Sequence, residues 1–476
     1  MVQKITTQYI DGKFVPSHGQ EVMDLISPST REVVGQVTLG DEHDTREAIK
    51  AARRAFVSFS RTSVEERSAI LQRLHDAVAA RTEEHCEAMR IEYGAPPQRA
   101  TATVARAAKS FLNAREVIDD VDFRRTFGEA EVLLKPVGVA GLITPWNSNI
   151  LMICHKIASA VAAGCTVVVK PSELSSMQAQ VLVECFDDAD LPPGVINVVH
   201  GRGEVVGEEL GTNPDVAKIS FTGSTAVGRK LMRNAAETMK RVTLELGGKS
   251  AHIVLEDADL TKAIPFALGA AFMNSGQACV AGSRLLVPES RLDEVKTVIA
   301  AEVAKLKVGD LLDPATAIGP MVTEKQYERV QSYIRAGLEE GAELLTGGEG
   351  HPEGLEHGYF VKPTVFVGVR NDMRIAQEEI FGPVLSVISY RTEDEAVEIA
   401  NDTSYGLFAY VTTADTAHGK ELAERLEAGG VMVNDLFDFY DHPRAPIGGF
   451  KQSGFGREFG VEGIHEYLGT QSVYSH

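Results

Sequence analysis

The sequence predicts an α/β protein built from more than one unit, and three observations carry that expectation. The chain has 476 residues, more than one ordinary hydrophobic core organises. Short apolar, β-rich runs alternate with amphipathic helical ones: Val139 to Ile143, Thr166 to Val169, Val195 to Val199, Ile219 to Phe221 and Val242 to Leu246. A second series of the same kind follows, through Leu285 to Val287, Thr364 to Val369, Val384 to Ser389 and Val431 to Val433. Strands apolar throughout and separated by helices form parallel sheets covered on both faces. The two series imply two α/β units with a seam near Gly247 and Gly248. No internal repeat, low-complexity tract or long Pro/Ser linker interrupts them.

Ahead of the first series the chain reads as helical. Ser63-Val-Glu-Glu66 has the form of a capping box, and Ile70, Leu71, Leu74, Ala77 and Val78 follow at helical spacing. Gly94 with Pro96 and Pro97 ends that region.

Composition excludes several classes. With 67 acidic against 47 basic side chains the net charge is −20, which argues against a nucleic-acid backbone or an anionic membrane as partner. The apolar fraction of 44% and charged fraction of 24% are those of a soluble globular protein. The N-terminus carries no stretch fit for a signal peptide, and the most apolar segment, Ile150 to Val169, is broken by His155 and Lys156. Five cysteines, Cys86, Cys154, Cys165, Cys185 and Cys279, include no Cys-x-x-Cys pair, so neither disulfides nor a zinc site is expected. The thirteen histidines show no metal-like grouping, so no metal is expected. A reducing, cytoplasmic location fits these features.

One cysteine stands apart. Phe272-Met-Asn-Ser-Gly-Gln-Ala-Cys279-Val-Ala-Gly-Ser-Arg284 sets Cys279 among small, turn-forming residues, 34 positions after Glu245 in Leu244-Glu-Leu-Gly-Gly-Lys-Ser250. A thiol is a strong nucleophile only as thiolate, and a carboxylate within reach can serve as its base. A free cysteine is ordinarily a small buried hydrophobe, so the flanking motifs must decide.

Ligands of open α/β sheets bind where strand ends lead into helix N-termini. His200-Gly-Arg-Gly-Glu-Val-Val-Gly207 follows a strand, but its last glycine is one residue too far for G-x-G-x-x-G; a tight turn into a helix explains it equally well. In Phe221-Thr-Gly-Ser-Thr-Ala-Val-Gly228, Gly223 and Gly228 would let backbone amides and the Ser224 hydroxyl approach a pyrophosphate. Gly248-Lys249-Ser250 resembles the end of a P-loop, but Thr243 stands where its first glycine is required. In Lys170-Pro-Ser-Glu173, a lysine and a glutamate at a strand end can hold ribose hydroxyls, and the carboxylate favours NAD over NADP by repelling a 2′-phosphate.

Seven motifs occur in series: Thr144-Pro-Trp-Asn147, Lys170-Pro-Ser-Glu173, Phe221-Thr-Gly-Ser-Thr225, Leu244-Glu-Leu-Gly-Gly-Lys249, the Cys279 segment, Glu378-Glu-Ile-Phe-Gly-Pro-Val384 and Gly448-Gly-Phe-Lys-Gln-Ser-Gly454. In this order, over nearly the whole chain, they resemble the aldehyde dehydrogenase superfamily. The resemblance implies a Rossmann-type cofactor domain (residues 1–118 and 138–247), an α/β catalytic domain (248–446) and a small bridging β-sheet (119–137 and 459–476). It implies a homodimer or homotetramer.

It further implies that Cys279 attacks an aldehyde carbonyl, with the oxyanion held by the Asn147 amide and the Cys279 backbone N–H. Hydride then passes to the nicotinamide of NAD, and Glu245 activates water to release a free carboxylic acid. Relatives that acylate coenzyme A tend to lack that glutamate, so its presence disfavours this alternative, as Glu173 disfavours NADP. A non-catalytic NAD-binding structural protein is the alternative of a different class. Cofactor contacts implied by position are Thr144, Pro145, Trp146, Lys170, Ser172, Glu173, Gly223, Ser224, Gly228 and Leu246, with Glu379 and Phe381 on the nicotinamide side. Lys156 and Glu458 match positions discussed as a proton relay, though a structural ion pair is the simpler reading.

The chain departs from the usual family pattern after Asn147, where Ser148 and Asn149 replace an aromatic residue and proline. That removes bulk and leaves the following helix start less fixed. Matching positions suggest a substrate pocket of Ser148, Leu151, Met152, His155, Met273, Ala278, Val280 and Ile447. Phe437, Phe439 and Tyr440 would receive an aromatic or long aliphatic aldehyde, and Arg444 or His155 a semialdehyde carboxylate. Packing of those aromatics on a neighbouring subunit is an equal alternative.

Overall fold

A computed structural model of the chain describes residues 3–436 and 442–475. The chain opens on strands rather than helices: Gln3–Ile5, Thr7–Ile10, Lys13–Pro16, Val22–Ile26 and Val33–Thr38 precede the first helix, Glu42–Phe59. Gln3–Ile5, Lys13–Pro16 and Val22–Ile26 are short and mostly exposed, so they carry little of the apolar signature that marks a core strand. The Ser63–Glu66 capping box is present and starts the helix Val64–Ala80. Gly94, left-handed at φ 78, terminates the turn Met89–Tyr93, but Pro97 does not end the helical region. It occupies the first turn of the helix Pro97–Val117, where its missing N–H costs nothing.

The first α/β series forms the middle of an eight-stranded sheet. In spatial order its strands are Gly454–Phe455, Arg241–Glu245, Val216–Thr222, Val139–Ile143, Thr166–Lys170, Ile196–Val198, Thr7–Ile10 and Lys13–Pro16. The five from Arg241–Glu245 to Ile196–Val198 run parallel. Val139–Ile143 and Thr166–Lys170 are buried at every position, which is why their sequences show no alternation. The helix Asn149–Ala163 packs between this sheet and the helices ahead of it and is almost wholly buried.

The second series forms a seven-stranded sheet in the order Glu343–Thr346, Thr364–Val367, Val384–Tyr390, Arg284–Pro288, Ala251–Val254, Phe408–Thr412 and Gly430–Val433, parallel except at its first edge. The chain crosses from one sheet to the other between Glu245 and Ala251. A third sheet joins Arg124–Phe127, Ala130–Pro136 and Leu468–Tyr474 in antiparallel array, so the C-terminal strand returns to a hairpin formed more than 330 residues earlier. Among the described residues no helix is long and apolar enough to cross a membrane, and all five cysteines are free thiols.

Candidate active site

Strand order fixes where a cleft opens. From Val139–Ile143 the chain moves outward through Thr166–Lys170 and Ile196–Val198, then returns to the other side of Val139–Ile143 with Val216–Thr222 and Arg241–Glu245. The reversal point lies between Val139–Ile143 and Val216–Thr222, where connections leave in opposite directions and a crevice forms at the strand carboxyl ends. A cleft of about 330 Å³ lies there. Pro145, Trp146 and Asn147 line it from one strand end, and Thr222, Gly223 and Ser224 from the other. Leu246, Gly247, Cys279, Glu379, Phe381, Gln326 and Arg329 complete it.

The second sheet meets this cleft with its amino ends. Gly247 and Gly248 lead into Ala251–Val254, Cys279 precedes Arg284–Pro288, and Glu379 precedes Val384–Tyr390. The crossing is tight: a Cβ on Gly248 would sit 2.3 Å from the Cys279 carbonyl oxygen. The Gly-Gly pair is thus required for close approach of backbone to backbone.

Cys279 is held by a left-handed turn. Asn274, Ser275 and Gly276 have φ of 53, 58 and 72, and a Cβ on Gly276 would lie 2.2 Å from Gly382. The turn is bracketed by buried side chains: Gln277 Oε1 accepts from Val322 N at 3.0 Å, its Nε2 donates to Pro320 O at 3.2 Å, and Ser275 Oγ accepts from Gly319 N at 2.9 Å. Asn147 Nδ2 donates to Gln277 O at 2.9 Å, while Asn274 Nδ2 donates to the Asn147 backbone carbonyl at 2.8 Å, so both its side chain and its backbone are tied to the cysteine turn. Tyr410 donates its hydroxyl to Val280 O at 3.0 Å from beneath.

Glu245 ends its strand just behind the cleft surface, 7% exposed. Its Oε1 and the Thr222 hydroxyl are buried without a hydrogen-bond partner among the described residues. Burial pushes the Cys279 thiol up to about 12, with Glu379 and then Glu245 adding to the effect. Burial also raises Glu245 well above the carboxylate range; Glu458 adds, while Lys156 and Arg457 oppose. Glu379, whose Oε1 accepts from Gly248 N at 3.0 Å, is pushed up to about 7 by burial. The thiol therefore rests protonated at neutral pH, and a proton acceptor is needed to raise its reactivity.

Behind Glu245 lies a buried ion cluster. Lys156 Nζ bonds Glu458 Oε1 and donates to Ser220 Oγ at 2.9 Å, and His155 Nε2 lies 3.4 Å from Glu458 Oε2. Burial alone would raise Glu458, but Lys156 and His155 outweigh it and hold the carboxyl far below its ordinary range.

Other expected cofactor residues stand off the cleft wall. Thr144 is buried, with Oγ1 accepting from Asn149 Nδ2 at 3.2 Å. Lys170 Nζ and Glu173 Oε2 are paired at 2.9 Å; burial would raise Glu173, but Lys170 outweighs it and keeps the carboxylate ionised. Ser172 caps the short helix Glu173–Ser175. Gly228 faces Leu246, where a Cβ would come within 2.6 Å, so its smallness serves helix packing instead of reaching a pyrophosphate. Ser224 caps the helix Thr225–Ala236 through its hydroxyl.

The substrate-pocket expectations need correction. Asn149 does not loosen the helix start: its Nδ2 bonds Thr144 Oγ1 and, at 2.8 Å, Pro145 O, which fixes the Thr144–Pro145 turn. Ser148 is buried and accepts from Arg99 Nη2 at 3.0 Å. Leu151 is core, 3% exposed. Met152, Met273, Ala278 and Ile447 are partly buried beside that core, and Val280 is buried within it. His155 stacks on Phe459 with ring centroids 3.8 Å apart and faces Glu458, so it is not available to a substrate carboxylate. Arg444 is exposed and paired with Glu116 and Asp120, for the same outcome. Phe437, Phe439 and Tyr440 lie outside the described residues.

Several cleft-forming residues escaped the sequence reading. Gln326 Nε2 donates to Phe381 O at 2.7 Å and Arg329 Nη2 to Glu379 O at 2.6 Å, both from the helix Glu324–Glu339, and nothing in their local sequence marks them. Gln277 had a usable signal: a long polar side chain inside a run of small, buried residues.

A doubly wound α/β unit whose switch-point cleft faces a thiol held on a second α/β unit defines the class of protein. Residues 14–473 match the model of the aldehyde dehydrogenase family, and the chain belongs to that family. It is 43% identical over 473 residues to a putative aldehyde dehydrogenase of Staphylococcus haemolyticus, covering 99% of each chain. It is 44% identical over 472 residues to a 3-succinoylsemialdehyde-pyridine dehydrogenase of a Pseudomonas species, covering 98% of this chain and 97% of the relative. Among solved structures, it matches a cysteine-to-alanine variant of aldehyde dehydrogenase C from Pseudomonas syringae, crystallised with NAD+ and octanal. The TM-score is 0.96 at 44% identity, over 98% of this chain and 96% of that one.

Proposed function

We propose that this chain oxidises an aldehyde to a free carboxylic acid with NAD, through an acyl group carried on Cys279. The single observation that carries the proposal is that Cys279 and Asn147 share the wall of the switch-point cleft while Glu245, just behind it, is near enough to act electrostatically on the thiol. In this reading residues 1–118 and 138–247 hold the cofactor, 248–446 carry the nucleophile, and the three-stranded sheet joins subunits into a homodimer or homotetramer. The exposure of all four residues of Arg124–Phe127 supports that last role.

The residues fit a dinucleotide. Ser224 and the amide end of Thr225–Ala236 would receive its pyrophosphate, Lys170 and Glu173 its adenosine ribose, and Trp146, Leu246, Glu379 and Phe381 its nicotinamide half. An ionised Glu173 repels a 2′-phosphate, which supports NAD over NADP. When bound, NAD supplies a hydride acceptor.

In the reaction Cys279 Sγ bonds to the aldehyde carbon, and its proton passes to Glu245. The oxygen gains charge and is held by Asn147 Nδ2 and the Cys279 N–H, each such donor worth about 3 kcal/mol of barrier. Loss of hydride leaves a thioester on Sγ. Glu245 passes the thiol proton to solvent, then takes a proton from water as the water oxygen bonds to the acyl carbon; the carbon–sulfur bond breaks and Glu245 returns that proton to Sγ, leaving the free acid and the thiol. Burial raises Glu245 above the carboxylate range, which makes its ionised form a stronger base.

The relatives make octanal and a pyridine-bearing semialdehyde the first substrates to test. Purified protein with NAD is offered aliphatic, aromatic and carboxylated aldehydes while NADH absorbance is followed. Formation of NADH with free acid supports the proposal; a folded, NAD-binding protein silent across the panel sinks it in favour of a structural role.

A further inference from the structure

We propose that His18, His43 and Asp41 form a binding site for one divalent ion of the zinc class, remote in function from the cleft. One ligand atom from each residue lies within 4.8 Å of the others. Residue spacing does not reveal this grouping, because His18 sits in the turn after Lys13–Pro16 while Asp41 and His43 stand at the start of the helix Glu42–Phe59. Folding brings the two imidazoles face to face, with ring centroids 4.3 Å apart and planes 26° from parallel. The His18 edge meets the carboxylate, with Nδ1 2.6 Å from Asp41 Oδ2, and a His43 ring nitrogen lies within 4.8 Å of both.

Two imidazoles and a carboxylate are a donor set suited to zinc, cobalt or nickel, and unlike the all-oxygen sets that calcium and magnesium prefer. Tetrahedral zinc with nitrogen and oxygen at about 2.0–2.1 Å holds its donors roughly 3.3–3.5 Å apart. In the proposed site the side chains must close from within 4.8 Å of one another onto that spacing.

The backbone under the donors is already fixed. Asp44 accepts His18 N at 3.0 and 3.2 Å, Gly19 N at 3.1 Å and Asp41 N at 3.1 Å. Asp41 Oδ1 accepts His43 N at 2.9 Å and Asp44 N at 3.1 Å. The reciprocal Asp41–Asp44 capping box thus ties the His18 turn to the helix start, and Oδ1 is engaged in the cap while Oδ2 faces the imidazoles. An ion there would clamp the N-terminal strands to the first helix, so its expected role is stabilisation of that segment.

The test uses the full-length chain carrying Cys279→Ala, which removes the cleft thiol as a competing ligand. After stripping with chelator, ZnCl2 and CoCl2 are titrated by calorimetry and visible absorption, and Tm is read with and without ion. The expected result is one saturable site per chain, a tetrahedral cobalt spectrum and a Tm raised by zinc. His18→Ala and His43→Ala are each expected to weaken binding ~10-fold or more and to abolish the Tm rise. Asp41→Asn keeps the helix cap but removes the anionic ligand, and is expected to do the same with the metal-free Tm unchanged. Binding of equal stoichiometry and affinity in all three variants, or no saturable binding in the parent, overturns the site.

Discussion

Asn147 donates its side-chain Nδ2 to the carbonyl of Gln277 at 2.9 Å, spanning 130 positions of sequence and the gap between two sheets. The contact aligns a carboxamide at the carboxyl end of one sheet with the turn that presents Cys279 at the amino end of the other. One amide hydrogen is thereby fixed and the second is left for a developing oxyanion. Asn147→Ala is expected to lower kcat by about 10²–10³. It should cost only about 1 kcal/mol of stability for the lost hydrogen bond. Steady-state rates and urea unfolding check both; an unchanged kcat removes Asn147 from the oxyanion role.

Cys279 and Glu245 act at different stages in the proposed chemistry, so their variants should differ in kind. Cys279→Ala is expected to bind NAD and produce no NADH. Glu245→Gln is expected to give a first-turnover burst of NADH followed by slow release of acid. Stopped-flow absorbance separates the two, and full steady-state activity in either would overturn its assigned role.

The resting thiol sets a pH signature. Because burial and two neighbouring carboxylates push Cys279 up to about 12, the thiolate fraction in cofactor-free protein should grow about tenfold per pH unit from roughly pH 7 to pH 10. Alkylation by iodoacetamide, read by mass spectrometry at Cys279, should follow that slope without levelling near 9, where an unperturbed thiol levels. A plateau below about 9 contradicts the raised value.

The Lys156–Glu458 pair is fully buried, so losing one partner strands the other charge. Lys156→Met is expected to destabilise by roughly 3–5 kcal/mol at neutral pH. Glu458 has a folded-state value depressed below the ordinary carboxylate range, so its contribution is full above that range and is lost as pH falls below it toward the folded value. The penalty of Lys156→Met should therefore shrink below about pH 4. Urea midpoints against pH measure it; a pH-independent penalty would show that packing, not charge, is what the lysine supplies.

How much was legible depended on where the signal lay. Fully buried strands such as Thr166–Lys170 announce themselves because both faces are apolar. Strand-end peptides such as Thr144 to Asn147 and Thr222 to Ser224 are legible because only turn formers fit there. Gln3–Ile5, Lys13–Pro16 and Val22–Ile26 are exposed sheet edges, which need no apolar pattern, and so leave no mark in the sequence. Asn149 was misread: a polar residue replacing proline suggested a loosened helix, whereas its amide locks the preceding turn. Gln326 and Arg329 belong to the cleft only because their helix packs under the Glu379–Phe381 segment.

By itself the sequence determined the α/β class and the seam at Gly247 and Gly248, and through a family resemblance it pointed to the thiol, carboxylate and carboxamide proposed to share one chemistry. Tertiary structure alone decided which charged side chains remain free for a ligand. His155 and Lys156 are committed to Glu458, and Arg444 to Glu116 and Asp120, partners some 300 or more positions away. Local propensity acts over a few residues, whereas pairing of buried charge is settled by which surfaces meet when the sheets close. The same closure that withdrew His155 and Arg444 from the substrate side brought His18 and His43 together around Asp41.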